Sequence, residues 1–304
     1  FANLIIADPP YYKTNGNFDF AWSSFEEYLT DVEKWANECA RILTPNGALL
    51  WFGSSKNIAY TQIIIDKKLD LLNNLVWYKG GGYLNLEKSK ELRSFPTSNE
   101  RILFYAKEKF NLSECVRDIR NYLRSEILKA KGKIDYKEIN AYLGFATNGG
   151  GVARSILSLE KFSPSMVTKE TYKMLQKYCN PGMRREYETL RREYETLRRE
   201  YETLRRPFNN YLELNEVLEF HNENIPGATR YDHPTVKPEK LIRALITTCS
   251  RPGDIVLVPF AGSGTECAMA VKEKRSFIGF EIEKKWADMA NKMEKSILRK
   301  PTLL

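Results

Sequence analysis

The chain has 304 residues, a formal net charge of +8 and 42% hydrophobic residues, enough apolar content for one large α/β domain with an insertion, which excludes a disordered polymer. Its five cysteines (Cys39, Cys115, Cys179, Cys249, Cys267) stand far apart with no C-x-x-C, and there are only two histidines, so a zinc site and a disulfide framework are not expected and a reducing, cytoplasmic setting is. No run reaches the ~20 apolar residues of a membrane span, no basic-then-apolar signal opens the chain, and the basic balance suits a polyanion without by itself establishing one.

Residues 3–8, Asn-Leu-Ile-Ile-Ala-Asp, are a short apolar run stopped by Pro9-Pro10, which predicts a buried strand delivering a loop at its C-terminal end. Because this strand starts almost at Phe1, a piece of the natural N-terminus is expected to be absent. A helix is predicted over 24–43 from Phe25, Tyr28, Leu29, Val32, Trp35, Ala36, Cys39 and Leu43 at 3–4 spacing, ended by Pro45-Asn46-Gly47. A strand over 47–52, a helix over 58–67, a strand over 74–78, a triple-glycine loop at 80–82 and a strand over 101–106 continue the alternation. It resumes after Tyr231 with a helix over 238–249, a strand over 255–259, a helix over 265–274, a strand over 276–281 and a last helix. The fold class is therefore α/β, a mostly parallel sheet flanked by helices, with residues 1–107 and 231–304 forming one domain and 108–230 an inserted, mainly helical module.

Within the insertion, helices are predicted over 115–129, 136–143 and 150–159. The stretch from Asp135 to Gly144, followed by Ala146-Thr147-Asn148, fits a helix-turn-helix that reads DNA or an ordinary helical hairpin. The block Arg-Arg-Glu-Tyr-Glu-Thr-Leu occurs unchanged at 184–190, 191–197 and 198–204. It predicts a helix over 184–206, about 35 Å long at ~1.5 Å per residue, with one Tyr/Leu stripe. That stripe can form a parallel homodimer in which Glu193 meets Arg198 of a second copy. The preferred reading is a single helix packed on its own domain, with pairs such as Glu188 and Arg192 on the outside, because three heptads are at the lower limit for a coiled coil.

The chemistry concentrates at two places. Asp8-Pro9-Pro10-Tyr11 offers a carboxylate and a backbone carbonyl at fixed positions. Together they can accept hydrogen bonds from both protons of an amino group and draw its nitrogen toward tetrahedral geometry, while Tyr11 offers a flat face for an extruded base. A plain strand-end turn uses the same residues. The second place is the strand Asp254-Ile-Val-Leu-Val258 running through Pro259 into Phe260-Ala261-Gly262-Ser263-Gly264-Thr265 and then a helix. Glycines let backbone N–H groups approach a ligand there, and the helix start favours a carboxylate. Glu281, at the end of the next strand, is placed to accept hydrogen bonds from ribose hydroxyls. An NAD site could share this geometry, although the loop lacks G-x-G-x-x-G spacing.

With both motifs in this order, the chain resembles the amino-methylating (adenine N6 or cytosine N4) site-specific DNA methyltransferases of the group ordered catalytic loop, recognition region, cofactor loop. The resemblance covers about residues 1–107 and 231–293. It implies a circularly permuted, Rossmann-like methyltransferase sheet, S-adenosylmethionine as cofactor, and Asp8, Pro9, Pro10 and Tyr11 as catalytic residues. Phe260–Thr265 and Glu281 would hold the cofactor. His233-Pro234-Thr235-Val236-Lys237-Pro238 is similar to the family's segment before the cofactor loop, which implies that Thr235 and Lys237 bind the methionine end. Trp77-Tyr78-Lys79 and Asn99-Glu100 sit where the family borders its base pocket. Asp as the first residue of the catalytic motif favours adenine over cytosine. Two departures stand out: Val258 where the family usually has Asp, and a family Gly-Asp strand that would lie before Phe1. They leave open a catalytically impaired DNA-binding remnant of a prophage. The implied partners are double-stranded DNA and, as open alternatives, a second copy of the chain and a cognate restriction endonuclease in a bacterial or phage-encoded system.

Overall fold

A computed structural model describes residues 1–13, 21–80, 95, 97–107, 115–148, 151–159, 166–221 and 236–298, with side chains to 292. The chain divides into two compact units, residues 1–109 with 206–304, and residues 110–205.

The first unit contains strands β1 (Ala2–Ala7), β2 (Leu43–Gly53), β3 (Asp70–Tyr78), β4 (Asn99–Ala106), β5 (Val217–Glu219), β6 (Ile255–Val258) and β7 (Ser276–Gly279). They form one seven-stranded sheet in the order β5-β3-β4-β2-β1-β6-β7. Helices α1 (Phe25–Ile42), α2 (Ile58–Ile65), α8 (Glu239–Cys249), α9 (Thr265–Lys272) and α10 (Lys284–Leu298) accompany it. β1 pairs in parallel with both β2 and β6, and β6 with β7. β4 runs antiparallel to β2 and β3, whereas β5 is parallel to β3.

β1 reads as an unbroken apolar run because both of its faces are covered. Leu4 and Ile6 point into a core shared with Leu241, Leu245, Ala268 and Met269 of α8 and α9. Ile5 and Ala7 point into the opposite core, with Tyr28, Val32, Ala36 and Ile65 of α1 and α2. Period-2 alternation thus distributes one strand between two cores. α1 begins at Ser24, whose hydroxyl accepts from the Glu27 N–H at 3.1 Å while Glu27 Oε2 accepts from the Ser23 N–H at 2.9 Å, a reciprocal cap.

Two expectations shift here. Pro45-Asn46-Gly47 does not follow the helix as a separate turn but lies inside β2: Leu43 pairs with Ala2, and the register then jumps to Ala48 opposite Leu4. The extra residues form a bulge, a place where proline costs no ladder hydrogen bond. The insertion also ends sooner than the boundary at 230 suggests, because residues 206–221 belong to the sheet unit. β5 is only three residues long, too short for a periodicity signal, and backbone pairing to β3 puts it in the sheet.

The second unit holds α3 (Arg117–Lys131), α4 (Tyr136–Tyr142), α5 (Gly151–Leu157), α6 (Lys169–Tyr178) and α7 (Tyr187–Leu204) around its own core. Asp135 caps α4 through the N–H groups of Lys137 and Glu138. Gly144, at φ +78°, ends the turn in the left-handed region. Buried Asn140 of α4 accepts from the Ala153 N–H of α5 at 2.9 Å, fixing the two helices to each other. α6 is not among the helices expected from the sequence.

The heptad helix α7 packs on its own unit. Leu190 and Tyr194 are buried and Tyr187, Leu197 and Tyr201 half-buried in that core, so most of the stripe offered for a coiled-coil seam is occupied. Glu193 pairs with Arg185 of the same chain, and Arg191 with Glu195 along the helix at 2.8 Å. No helix among the described residues is long and apolar enough to cross a membrane.

Candidate active site

The C-terminal ends of β1, β2, β3 and β6 open on one edge of the sheet, since these strands run the same way. Asp8 follows β1 directly, and Phe260 to Gly264 follow β6, its hydrogen-bonded neighbour. Two loops 250 residues apart in the chain are thereby held side by side. The antiparallel β4 starts at this edge instead of ending there. Its first residues, Asn99 and Glu100, pair with Tyr78 and Trp77 of β3 and so arrive beside Asp8.

At this edge Lys237 Nζ donates to Asp8 Oδ2 and lies 3.7 Å from Glu100 Oε2. The Tyr11 hydroxyl donates to Asp8 Oδ1 at 2.5 Å and stands 3.3 Å from Glu100 Oε2. Lys79 Nζ closes the chain on Glu100 Oε1 and lies 4.8 Å from the centre of the Trp77 ring. Aromatic faces line the rest: Lys237 Nζ is 5.2 Å from the Phe52 ring centre, 5.8 Å from that of Tyr11 and 5.9 Å from that of Trp77. Trp77 is locked by its indole N–H donating to the Phe220 carbonyl at 2.7 Å. Asn99 Oδ1 is buried without a hydrogen-bond partner among the described residues.

Protonation follows from these contacts. Burial, then the charges of Asp8 and Glu100, push the Tyr11 phenol well above its ordinary value, so it stays a neutral donor. Burial opposes ionisation of Glu100, but the Lys237 and Lys79 ammoniums prevail and hold it below the usual glutamate value. Burial likewise works against a charged Lys237, and Asp8 and Glu100 together raise it above an ordinary lysine. Glu266, buried in the first turn of α9, is driven up to about 7 by burial and then by the neighbouring Asp8, with its own backbone N–H and Lys237 pulling the other way.

The loop after β6 is a tight cradle. The Ala261 N–H donates to the Phe280 carbonyl and the Gly264 N–H to the Ala261 carbonyl, both at 2.7 Å. Glu281 Oε2 accepts from the Gly262 N–H and its Oε1 from the Glu283 N–H, each at 2.8 Å. Ser263 and Thr265 hydroxyls stand 3.2 Å apart. Gly264 sits at φ +83°, and a Cβ there would lie 2.6 Å from Cβ of Ala290, so only glycine lets α10 pack on the loop. The Phe260 ring turns into the core, edge-on to Trp35 at 5.0 Å, and Val258 is buried in β6.

Of the residues singled out by sequence, Asp8, Tyr11 and Lys237 form one hydrogen-bonded cluster with Pro9 and Pro10 in its loop, and Ala261, Gly262, Ser263, Gly264, Thr265 and Glu281 form the adjacent cradle. Lys237 meets the Asp8 carboxylate. Thr235 and His233 lie outside the described residues. Glu266 was missed, and so were Phe280 and Ile282, 59% and 97% exposed on either side of Glu281. An acid following Thr265 inside an otherwise apolar helix turn was the available signal for Glu266.

A family model described as DNA methylase, N6_N4_Mtase, matches residues 2–292. The chain belongs to this DNA methylase family. Among curated relatives, the DNA adenine methyltransferase YhdJ of Escherichia coli is 26% identical over 293 residues, 94% of this chain and 74% of that protein. The type II methyltransferase M.HpaI of Haemophilus parainfluenzae is 26% identical over 296 residues, 95% of this chain and 66% of that enzyme. The methylase chain thus spans about two thirds of the length of the latter. Its α/β fold matches the solved PvuII DNA methyltransferase, which is cytosine-N4-specific, with a TM-score of 0.52 at 14% identity over 98% of this chain and 83% of that one. It also matches TTHA0409 of Thermus thermophilus, solved with S-adenosyl-L-methionine, with a TM-score of 0.51 at 17% identity over 99% and 88%.

Proposed function

We propose that this methylase transfers the methyl group of S-adenosylmethionine to the exocyclic amino nitrogen of a base flipped from double-stranded DNA, and that the base is adenine. The observation that carries the proposal is the meeting of the Asp8–Tyr11 loop and the Phe260–Gly264 cradle at adjacent strand ends.

The residues of the cradle fit the cofactor. Glu281 uses one lone pair of each carboxylate oxygen on backbone N–H groups and keeps others for ribose hydroxyls. Phe280 and Ile282 present open apolar faces beside it, suited to an adenine ring. The cofactor supplies a methyl made electrophilic by its sulfonium. Asp8 and the Pro9 carbonyl accept hydrogen bonds from the two N–H groups of the target amino group, which localises the nitrogen lone pair. Lys237 and the neutral Tyr11 hydroxyl hold the Asp8 carboxylate from its other lone pairs, fixing its orientation. Lys and Arg side chains of the 110–205 unit contact phosphates, and some of its side chains read base edges.

Adenine is favoured by Asp as the first motif residue and by the adenine-methylating YhdJ relative. The type II relative supports a restriction–modification setting in a bacterial cytoplasm, with a cognate endonuclease as partner. Incubation with labelled S-adenosylmethionine and mixed-sequence duplex DNA, followed by nucleoside analysis, should yield N6-methyladenine. N4-methylcytosine would overturn the base assignment, and DNA binding without transfer would overturn the enzymatic one.

A further inference from the structure

We infer that Glu266 is a specificity-determining residue that supplies the counter-charge for the cofactor's sulfonium, so that the site distinguishes S-adenosylmethionine from its demethylated product, S-adenosylhomocysteine. The inference rests on the cofactor assignment proposed above.

Glu266 immediately follows Thr265, where the glycine-rich cradle becomes α9, and its side chain is only 4% exposed. A carboxyl group so deeply buried is normally neutral or paired with a cation. The two described cations at the site are already taken: Lys237 serves Asp8 and Glu100, and Lys79 serves Glu100. Among the described residues, Asp8, Glu100 and Glu266 against Lys79 and Lys237 leave one acid in excess, and Glu266 is the one without an ammonium bonded to it.

The charged groups acting on Glu266 are Asp8, from the loop after β1, and Lys237, from the segment entering α8. No charged group of the other described elements packed on α9 is among those that shift Glu266. β6 and β7 carry no charged residue. α10 meets the start of α9 through Ala290, and its Lys284 pairs with Asp288 at the surface. Arg243 of α8 pairs with Glu273 beyond the far end of α9. With a like charge beside it and no free cation among the described residues, Glu266 holds its proton up to about pH 7.

An added positive charge between the cradle and Asp8 would resolve the imbalance. S-adenosylmethionine carries such a charge on sulfur, and S-adenosylhomocysteine is identical except for the lost methyl and the lost charge. Binding the cation favours ionised Glu266 and releases its proton, whereas the neutral thioether has no such effect. Affinity for the methyl donor is therefore greatest above pH 7 and falls as the pH drops below it, while affinity for the product stays level. The charge lost on transfer also weakens the hold on the product, which favours its release.

The test is calorimetric binding of both ligands to the full chain, wild type and Glu266→Gln, at pH 8 and pH 6. In the wild type, S-adenosylmethionine should bind about tenfold more weakly at pH 6 and S-adenosylhomocysteine within about twofold of its pH 8 affinity. Glu266→Gln should abolish that pH dependence and weaken S-adenosylmethionine about tenfold at pH 8 while sparing S-adenosylhomocysteine. Retained pH dependence in the variant, or equal weakening of both ligands, overturns the inference. If the variant binds neither ligand because it fails to fold, proton release from the wild type decides the matter. Measured at pH 7 in two buffers of different ionisation enthalpy, it must be larger for S-adenosylmethionine, and equal release overturns the role of Glu266. A wild type that binds neither ligand at either pH would remove the cofactor assignment itself, which is distinct from binding both without discrimination.

Discussion

The Lys237 ammonium is hydrogen-bonded to Oδ2 of Asp8 across 229 residues of sequence. Among the described residues it is also the nearest cation to Glu100 after Lys79. One buried lysine thus ties the loop after β1, the start of β4 and the entry to α8 into a single electrostatic unit. Removing it would leave two carboxylates short of a partner in a poorly solvated place, a more severe change than losing a surface pair.

Lys237→Met is therefore expected to destabilise the protein by about 3–5 kcal/mol, the range for breaking a buried pair by deleting one partner. Chemical denaturation at pH 7.5 measures this directly, and a loss under about 1 kcal/mol would mean that water or another cation serves Asp8 and Glu100 equally well.

Asp8→Asn keeps the shape of the side chain but removes its charge. Methyl transfer should fall by at least about 10²-fold, as when a preorganised electrostatic contact is lost from a transition state. Binding of duplex DNA, read by fluorescence anisotropy, should stay within about twofold. Near-normal turnover in the variant would take Asp8 out of the chemistry.

Glu266 and Glu100 shift in opposite directions and so predict different pH behaviour for the ligand-free protein. Glu266 is raised when folded, to about 7. The folded state then holds a proton that the unfolded chain releases above its own value of about 4.3, so stability declines as pH rises from there to about 7. Glu266→Gln should raise the melting temperature at pH 8 and leave it nearly unchanged at pH 4.5. Glu100 is lowered when folded, so its contribution is fully present above the unfolded value and is lost as pH falls through the folded one. Lys79→Met should diminish that contribution and move acid unfolding to higher pH.

Leu190 is fully buried in the core of the second unit, while Leu204, two heptads later in the same stripe, is 53% exposed. Leu190→Ala is expected to cost about 2–5 kcal/mol and Leu204→Ala less than about 0.5 kcal/mol. Similar costs for the two, with sedimentation showing a dimer that dissociates in both variants, would restore the coiled-coil seam that the packing of α7 argues against.

Gly264→Ala combines a left-handed backbone position with a Cβ 2.6 Å from Ala290. A loss of about 1–3 kcal/mol follows from strain and overpacking. Thermal unfolding tests it, and an unchanged melting temperature would show that α10 can shift away without cost.

Local chemistry made most of the elements and both motifs legible in the chain. Apolar runs stopped by prolines marked strand ends, apolar residues at 3–4 spacing marked the helix over 24–43, and the proline and glycine patterns at 8–11 and 260–265 marked the two loops, because backbone restriction and side-chain periodicity act over a few residues. Three features depended on the rest of the molecule. β5 exists through its pairing with β3, the bulge at 44–47 through register with β1, and the fate of the Tyr/Leu stripe through the core available to it. A heptad pattern specifies which face is apolar and leaves open what covers that face.

The same division holds at the site. Asp8 and the glycine-rich cradle were recognisable from sequence, since each is a contiguous motif with its own backbone logic. The resemblance already put Lys79, Glu100 and Lys237 near the pocket, but that they and Glu266 form one charge network with Asp8 was decided by the tertiary structure. β4 had to run antiparallel to bring Glu100 to the carboxyl edge of the sheet, and β1 and β6 had to be neighbours to bring Glu266 beside Asp8. Charge–charge coupling acts through space over a few ångströms, whereas the residues concerned are scattered from position 8 to position 266. Which acid stays ionised and which holds a proton therefore became apparent only once the strands were in order.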